Sequence, residues 1–175
     1  FLGVAGYVEQ TPELPFTLAE VMRQGSGQGK EAKVHFKEII AKRIEQGRGL
    51  PNYCTGALER FIAAADSGNT GGSIRSTFQE ALNIFASPMV EVATSTCDFD
   101  ISQVRRRRMS IYLGVPANKL GQSGRLMNLF FTQAMNLNTK DLPQTDSSLK
   151  YQCLLLADEF TALGRIGMLS KAVGY

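Results

Sequence analysis

The feature that most constrains the fold is a short apolar run followed directly by two carboxylates. Residues 153–157 are apolar without alternation, and polar residues bound the run on both sides. Such a run is typical of a β-strand buried on both faces, as in a parallel sheet covered by helices. Asp158 and Glu159 follow at its carboxyl end, and in open α/β sheets ligands bind beyond that edge. The pattern predicts a buried strand that delivers two acidic side chains to a binding edge.

A buried strand that ends in Asp-Glu is the Walker B arrangement of P-loop nucleotide hydrolases. In that arrangement Asp158 would hold Mg²⁺, a hard cation that takes oxygen ligands. Glu159 would orient or deprotonate the attacking water. A core strand that merely ends in a solvated acidic turn has the same pattern, so the interpretation depends on the neighbouring sequence.

The glycine-rich residues 25–30 do not supply the companion phosphate-binding loop. The Walker A pattern requires a glycine separated by four residues from its Gly-Lys pair, and Ser or Thr after the lysine. Gln24 and Glu31 occupy those two positions, and no hydrophobic strand precedes the segment. We therefore expect a flexible loop between two helices.

Residues 17–90 have the pattern of an all-helical unit with short loops. Thr17 and Glu20 fit a capping box, which predicts a helix from Leu18 to near Gly25. His35 lies beside the apolar stripe of the next helix and is expected to be half exposed. The remaining helices are predicted over residues 30–46, 53–65 and 73–85, with a break at 67–72 and Pro88 closing the last helix.

The character of the chain changes from residue 98 onwards. Four arginines at 105–108 precede an apolar, β-branched stretch at 109–115 that predicts a strand, and Pro116 ends it. A helix over 120–137, a polar loop and the strand from Tyr151 would complete one βαβ crossover. The arginine run either meets phosphate, of a nucleotide or of DNA, or is a solvated strand entry.

Composition excludes several classes of protein. The net charge of +3 is too small to argue for nucleic-acid binding by itself, and the three cysteines have no metal-ligand spacing. Free thiols in a reducing compartment account for them. No apolar run approaches the roughly 18 residues of a membrane span, and there is no signal peptide. The first residue is not Met and the chain stops soon after the acidic strand, so we expect a piece of a longer protein.

Several segments in fixed order resemble one family. Residues 158–167 resemble the extended Walker B segment of type IV secretion coupling proteins, the TraG-like conjugal transfer ATPases. Residues 107–116, 126–131 and 137–143 are similar to successive segments of the same family. Residues 73–77 and 93–101 are similar to its helical domain and to the exit from that domain.

The resemblance implies a specific architecture. In coupling proteins an all-α domain is inserted in a RecA-like nucleotide-binding domain, between its Walker A and Walker B elements. The expected fold is therefore mainly α with a partial α/β part: an all-helical domain over 1–97, and a βαβ piece of a RecA-like P-loop NTPase domain over 98–175 that ends in Walker B.

The resemblance also implies a function. Coupling proteins are hexameric ATPases, anchored in the bacterial inner membrane by a region outside this chain, that use ATP and Mg²⁺. They receive a relaxase–DNA or protein substrate on the cytoplasmic side and pass it to the secretion channel, and the all-α domain is implicated in substrate recognition. Glu159 would be catalytic, Asp158 would bind Mg²⁺, and Arg165 either reaches a neighbouring subunit's nucleotide or faces solvent.

Three functions remain open at this point. The first is an ATP-driven motor for conjugative transfer, of which this chain holds one part and, without Walker A, is inactive alone. The second is a binding module whose helical domain is a receptor for relaxase or another secreted protein. The third is a different P-loop ATPase, such as a DNA-packaging or helicase-like translocase.

Overall fold

The computed structural model describes residues 1–65 and 69–158, and its elements are helical throughout these ranges. The chain divides into two compact units, Phe1–Thr96 and a second unit that begins at Cys97. The expectation of a mainly α fold is confirmed. The helices are α1 (Leu2–Glu9), α2 (Leu18–Gly25), α3 (Ala32–Glu45), α4 (Asn52–Ala65), α5 (Asn69–Leu82), α6 (Pro88–Ala93) and α7 (Leu120–Thr139), with short 3-10 turns at Asn83–Ala86, Ile101–Gln103 and Ala117–Lys119.

The core of the first unit is formed where α1 packs against α4 and α2 against α5. Close approach of the helices depends on two glycines. A Cβ on Gly3 would lie 3.0 Å from the side chain of Leu58, and a Cβ on Gly25 would lie 2.2 Å from the ring of Phe78. The largest fully buried side chains are Val8, Val21, Phe36, Cys54 and Leu58.

Helix α2 begins where the sequence predicts, at Leu18. The Thr17 side chain accepts a hydrogen bond of 3.1 Å from the backbone N–H of Glu20. The second bond of a capping box is replaced, because the backbone N–H of Thr17 donates to the carbonyl of Pro15 at 2.9 Å. The Glu20 carboxylate is therefore free to turn inward, where it takes part in a buried polar network.

Two predicted helix boundaries were wrong. Gly71 and Gly72 lie inside α5, which begins at Asn69, because packing against α2 and α4 outweighs the weak helix propensity of glycine. Pro88 begins α6 instead of ending the preceding helix. Proline suits a first helical position because the N–H that it lacks would be unsatisfied there.

The turn between α2 and α3 is the loop expected from its glycines. Gly27, Gln28 and Gly29 have φ values of +80°, +49° and +85°. This left-handed conformation costs glycine little. A Cβ on Gly27 would also lie 2.5 Å from the carbonyl oxygen of Lys30. The segment connects α2 to α3 through these left-handed residues.

In the second unit α7 begins at the predicted residue and ends two residues later than predicted. The two predicted strands are not assigned within residues 97–158, where 108–116 and 152–157 carry no regular secondary structure. A strand requires hydrogen bonds to a neighbouring backbone. Near the two predicted strands, the N–H groups of Lys150 and Tyr151 donate to the carbonyl of Arg105. The expectation that residues 153–157 are buried was also wrong, since Leu154 and Leu156 are 85% and 87% exposed.

Among the residues that the structure describes, no helix is long and apolar enough to cross a membrane.

Candidate functional site

The acidic end of the 152–158 segment lies at a groove in the second unit. The groove has a volume of about 730 Å³ and is lined by residues 109–115, by α7 and by 152–158. Asp158 occupies a turn at its edge and is exposed. Glu159 and Arg165, the other site residues suggested by the sequence, lie outside the described residues.

The groove wall on the α7 side is apolar. Met127 is buried, and the rings of Phe130 and Phe131 pack edge to face with centroids 5.6 Å apart. The segments 109–115 and 152–157 also line the groove, and neither is assigned as a strand within residues 97–158. The groove therefore has an apolar wall on α7, and the backbone N–H and C=O groups of its two irregular segments are available to pair with another strand.

The Asp158 carboxylate at this groove is an oxygen donor of the kind that binds Mg²⁺. In the described part of the chain no group of three His, Cys, Asp or Glu side chains is arranged to hold a metal ion. A single carboxylate is nevertheless a common protein contribution to bound Mg²⁺, which keeps several waters and takes further oxygens from substrate phosphates. The donor type at Asp158 fits such an ion.

Arg105 has a structural role that the sequence did not reveal. Its guanidinium Nη1 donates to the carbonyl oxygens of Asn138 and Asp141, at 2.6 and 3.2 Å. A cation at the carboxyl end of a helix satisfies carbonyls that lack helical partners and interacts favourably with the helix dipole. The carbonyl of Arg105 accepts from the N–H groups of Lys150 and Tyr151, at 2.9 and 3.0 Å. One residue thus joins the end of α7 to the start of the segment that leads to Asp158.

Two neighbours of Arg105 bind the same loop. Arg106 Nη1 donates to Asp146 Oδ2 at 3.0 Å and to Ser148 Oγ at 2.6 Å. Hydrogen bonds from the Ser148 hydroxyl and N–H lower the pKa of Asp146, and Arg106 and Arg105 lower it further. Arg108 stacks over Tyr151, 6.0 Å from the ring centroid.

Most of the arginine side chains at 105–108 therefore bind other residues of the same chain. The side chains of Arg105 and Arg106 bind other parts of the chain, a role that neither interpretation made from the sequence, a phosphate contact or a solvated strand entry, included. Their partners lie 33 to 42 residues away along the chain. No local pattern could have revealed those contacts. Arg107 is exposed.

The first unit contains a buried polar network that joins α2 to α3. Gln24 Nε2 donates to Glu20 Oε1 at 2.7 Å, and Gln24 Oε1 lies 3.0 Å from Nε2 of His35. His35 is 9% exposed, so the expectation that it is half exposed was wrong. Its apolar neighbours could be seen in the sequence, whereas its partner on α2 could not.

Charges on the first unit are interspersed. Residues 17–90 contain nine Lys and Arg against seven Asp and Glu. Ion pairs join Arg23 to Glu91 at 2.6 Å and Lys30 to Glu38 at 2.5 Å. Along α3 the cations alternate with Glu38 and Glu45, whereas a DNA backbone is bound by a concentrated row of cations.

Comparison with known proteins identifies the family of the chain. Residues 17–175 match the family model described as "Type IV secretory system Conjugative DNA transfer". Over 92 residues the chain is 38% identical to Protein VirD4 of Rhizobium rhizogenes and 37% identical to Protein VirD4 of Agrobacterium fabrum. A third relative, Protein VirD4 of Rhizobium radiobacter, is 36% identical over the same length.

The aligned residues are 53% of this chain and 13% or 14% of the length of those relatives. No solved structure matches the chain. The family model covers nearly all of both units, including α2 to α7 and the acidic segment at Asp158. The chain belongs to the type IV secretory system conjugative DNA transfer family, as a segment of a coupling protein.

Proposed function

We propose that this chain is part of an ATP-driven motor that moves a conjugation substrate to a secretion channel. The observation that carries the proposal is the family match over residues 17–175, because it takes in the helical unit and the acidic segment together. It favours conjugative transfer over DNA packaging or a helicase-like activity, the other ATPase functions compatible with the sequence. The working protein would be a homohexamer on the cytoplasmic side of the bacterial inner membrane, anchored by a region outside this chain.

The nucleotide chemistry is assigned to Asp158 and Glu159. Asp158 would hold Mg²⁺ at the edge of the groove, and the metal would neutralise charge on the ATP phosphates. Glu159 would position the attacking water or accept its proton. Arg165 is the candidate for contact with the nucleotide of an adjacent subunit.

The groove of the second unit supports a RecA-like arrangement. Residues 109–115 and 152–157 both line it, and no strand is assigned to them within residues 97–158. Leu154 and Leu156 are largely exposed, and an exposed apolar strand edge is stabilised when further strands or helices cover it. We propose that other parts of a RecA-like domain complete a parallel sheet here, with α7 as the crossover helix of a βαβ unit.

The helical unit is proposed to recognise the substrate. It has no catalytic constellation in its described residues, and its cations are mixed with carboxylates. A relaxase or another secreted protein is therefore a better direct ligand for this unit than DNA. DNA would be handled by the complete motor together with the channel components.

The first experiment concerns ATP hydrolysis by the complete coupling protein. Glu159→Gln keeps the shape of the side chain and removes the carboxylate, so turnover should fall by ~10²–10⁴-fold while nucleotide binding persists. Glu91→Gln, in the helical unit, is the matched control and should hydrolyse ATP at the parental rate. Parental turnover by the Glu159→Gln protein would refute the Walker B assignment.

The second experiment concerns substrate binding. Binding of the cognate relaxase and of single- and double-stranded DNA is measured with the 175-residue chain at near-physiological salt. Micromolar affinity for relaxase with negligible affinity for DNA is expected. Strong, salt-sensitive DNA binding without relaxase binding would overturn the proposed role of the helical unit.

A further inference from the structure

The helical unit also contains an apolar pocket. The pocket has a volume of about 340 Å³ and lies where α4 and α5 meet α1 and the end of α2. This volume is near the lower end of the range for ligand pockets, roughly 300–1,000 Å³, and suits one or two bulky side chains. Its apolar lining includes Phe36, Leu58, Phe61, Ile74 and Phe78.

The walls of the pocket are held in place by tight packing. The rings of Phe36 and Phe61 meet edge to face with centroids 5.7 Å apart. Phe36 and Leu58 are 2% exposed. The ring of Phe78 lies directly against Gly25, where any side chain would collide with it. The apolar floor is therefore formed without a ligand, which lowers the cost of binding one.

The charges that line the pocket have one sign. Arg60 and Arg75 are lining residues, both are exposed, and the lining contains no Asp or Glu. Within residues 1–65 and 69–96 no ion pair is formed by either arginine. Other cations of this unit do have such partners, as Arg23 and Arg48 do in Glu91 and Glu13. An apolar floor with two such guanidinium groups is complementary to an apolar group that carries carboxylates beside it.

We infer that this pocket binds a peptide segment of a protein partner in which bulky apolar residues are flanked by acidic ones. The apolar side chain occupies the floor, and the flanking carboxylates pair with Arg60 and Arg75. Such an anchor in a desolvated pocket is the usual centre of a protein recognition surface. A nucleic acid fits less well, because two arginines beside an apolar cavity do not provide the row of phosphate contacts that it needs. The inference rests on the proposed role of the helical unit in substrate recognition and names the site.

The test uses the 175-residue chain and a defined probe. The probe is a capped hexapeptide with adjacent leucine and phenylalanine between glutamates. Because Phe1 of the protein lines the pocket, its amino group is acetylated in every protein sample. Two matched peptides replace the glutamates by glutamine or by lysine. Binding is followed by NMR of isotope-labelled isoleucine methyl groups, with Ile74 in the pocket wall and Ile44 on an exposed turn of α3 as the internal reference.

Saturable shifts at Ile74 without shifts at Ile44 are expected for the acidic peptide. The glutamine peptide and the Arg60→Gln, Arg75→Gln double variant should each weaken binding by about tenfold, and the lysine peptide should not bind. Lys37→Gln, an exposed cation on α3, is the matched control and should bind as the parent does. Equal binding of all three peptides, or undiminished binding by the double variant, would overturn the inference.

Two further outcomes separate this inference from the proposed function. If relaxase binds the parent and the double arginine variant equally, the pocket is not the recognition site, while the role of the helical unit stands. If the acidic peptide binds and relaxase does not, the pocket stands and the proposed substrate fails. Concentration-dependent self-association that the double variant abolishes would assign the pocket to a second copy of the chain and refute the inference.

Discussion

Nε2 of His35 on α3 lies 3.0 Å from Oε1 of Gln24 on α2. The amide NH₂ of Gln24 donates to the Glu20 carboxylate at 2.7 Å, so its carbonyl oxygen faces the imidazole. A carbonyl oxygen can only accept a hydrogen bond. His35 must therefore carry a proton on Nε2, and the three residues form a directed chain of hydrogen bonds between two helices.

The stability of the helical unit should depend on pH through His35. Burial lowers the pKa of the imidazole, and the positive charge of Lys30 lowers it further. The folded chain therefore binds the proton less readily than the unfolded chain, whose histidine has a pKa of about 6.5. The free energy of unfolding should be at its full value above about pH 6.5 and should fall below it, by at most ~1.4 kcal/mol for each pH unit.

Urea titrations at pH 7.5 and pH 5.5, followed by the methyl signal of Ile39 in α3, measure this dependence. His35 is the only histidine of the chain, so a variant at this position isolates its contribution. His35→Gln retains a donor for Gln24 and does not titrate. Its unfolding midpoint should change less between the two pH values, and an equal change in parent and variant would contradict the assignment.

Gln24→Leu should destabilise the helical unit by about 2 kcal/mol. The substitution leaves the buried Glu20 and His35 without the group that links them, and Glu20 is 3% exposed. The measurement is the urea midpoint of the same Ile39 signal at pH 7.5. Gln133→Leu, an exposed position on α7, is the control for the added hydrophobicity and should change the midpoint little.

Two glycines should respond to alanine in opposite directions. Gly72→Ala should stabilise the chain by up to about 1 kcal/mol, because Gly72 lies inside α5 and a Cβ there meets nothing within 4 Å. Gly25→Ala should destabilise it by about 1–3 kcal/mol, because the new Cβ would lie 2.2 Å from the Phe78 ring. Thermal unfolding followed by circular dichroism measures both, and a stabilised Gly25→Ala would contradict this packing.

Arg105→Ala should loosen the end of α7 and the loop that follows. The variant leaves the carbonyls of Asn138 and Asp141 without their guanidinium donor, and losing a hydrogen bond to a charged group costs about 1.5–3 kcal/mol. Amide hydrogen exchange over residues 134–151 should therefore become faster. Arg107→Ala is the matched control, since Arg107 is exposed, and its exchange pattern should resemble that of the parent.

The 175-residue chain alone should neither bind Mg-ATP tightly nor hydrolyse it. Its sequence holds no phosphate-binding loop, and such a loop supplies the main-chain N–H groups and the lysine that contribute most of phosphate recognition. Calorimetric titration should be flat. A dissociation constant in the micromolar range would locate nucleotide binding elsewhere in the chain.

In the complete protein, Asp158→Asn should weaken Mg²⁺-dependent nucleotide binding.

Local sequence patterns predicted most of the helical elements. Thr17 and Glu20 marked the start of α2, and the apolar spacing around Phe36 marked α3. These signals are local, because caps and periodicity depend on residues within one or two turns. The positions of Gly72 and Pro88 relative to their helices were predicted wrongly. Glycine occurs both inside and at the ends of helices, and proline both begins and follows them, so tertiary packing decides the position.

The contacts that organise the second unit could not be predicted in this way. Arg105 and Arg106 bind residues more than 30 positions away, and charge alone does not distinguish such partners from solvent or phosphate. Asp158 lies in an exposed turn, and the residues before it, 152–157, carry no regular secondary structure where the sequence predicted a buried strand. The roles of Asp158, Glu159 and Arg165 remain proposals, and the last two lie outside the described residues.

The attachment of Arg105 to both α7 and the 150–151 segment has a mechanical consequence. Helix α7 has 20 residues, so at 1.5 Å per residue it is a rod about 30 Å long. A tilt of about 5° around its amino end moves its carboxyl end by roughly 2.5 Å over this length. Arg105 binds both the carboxyl end of α7 and the backbone of Lys150 and Tyr151. Any displacement of the carboxyl end of α7 would therefore reach the start of the segment that leads to the acidic turn.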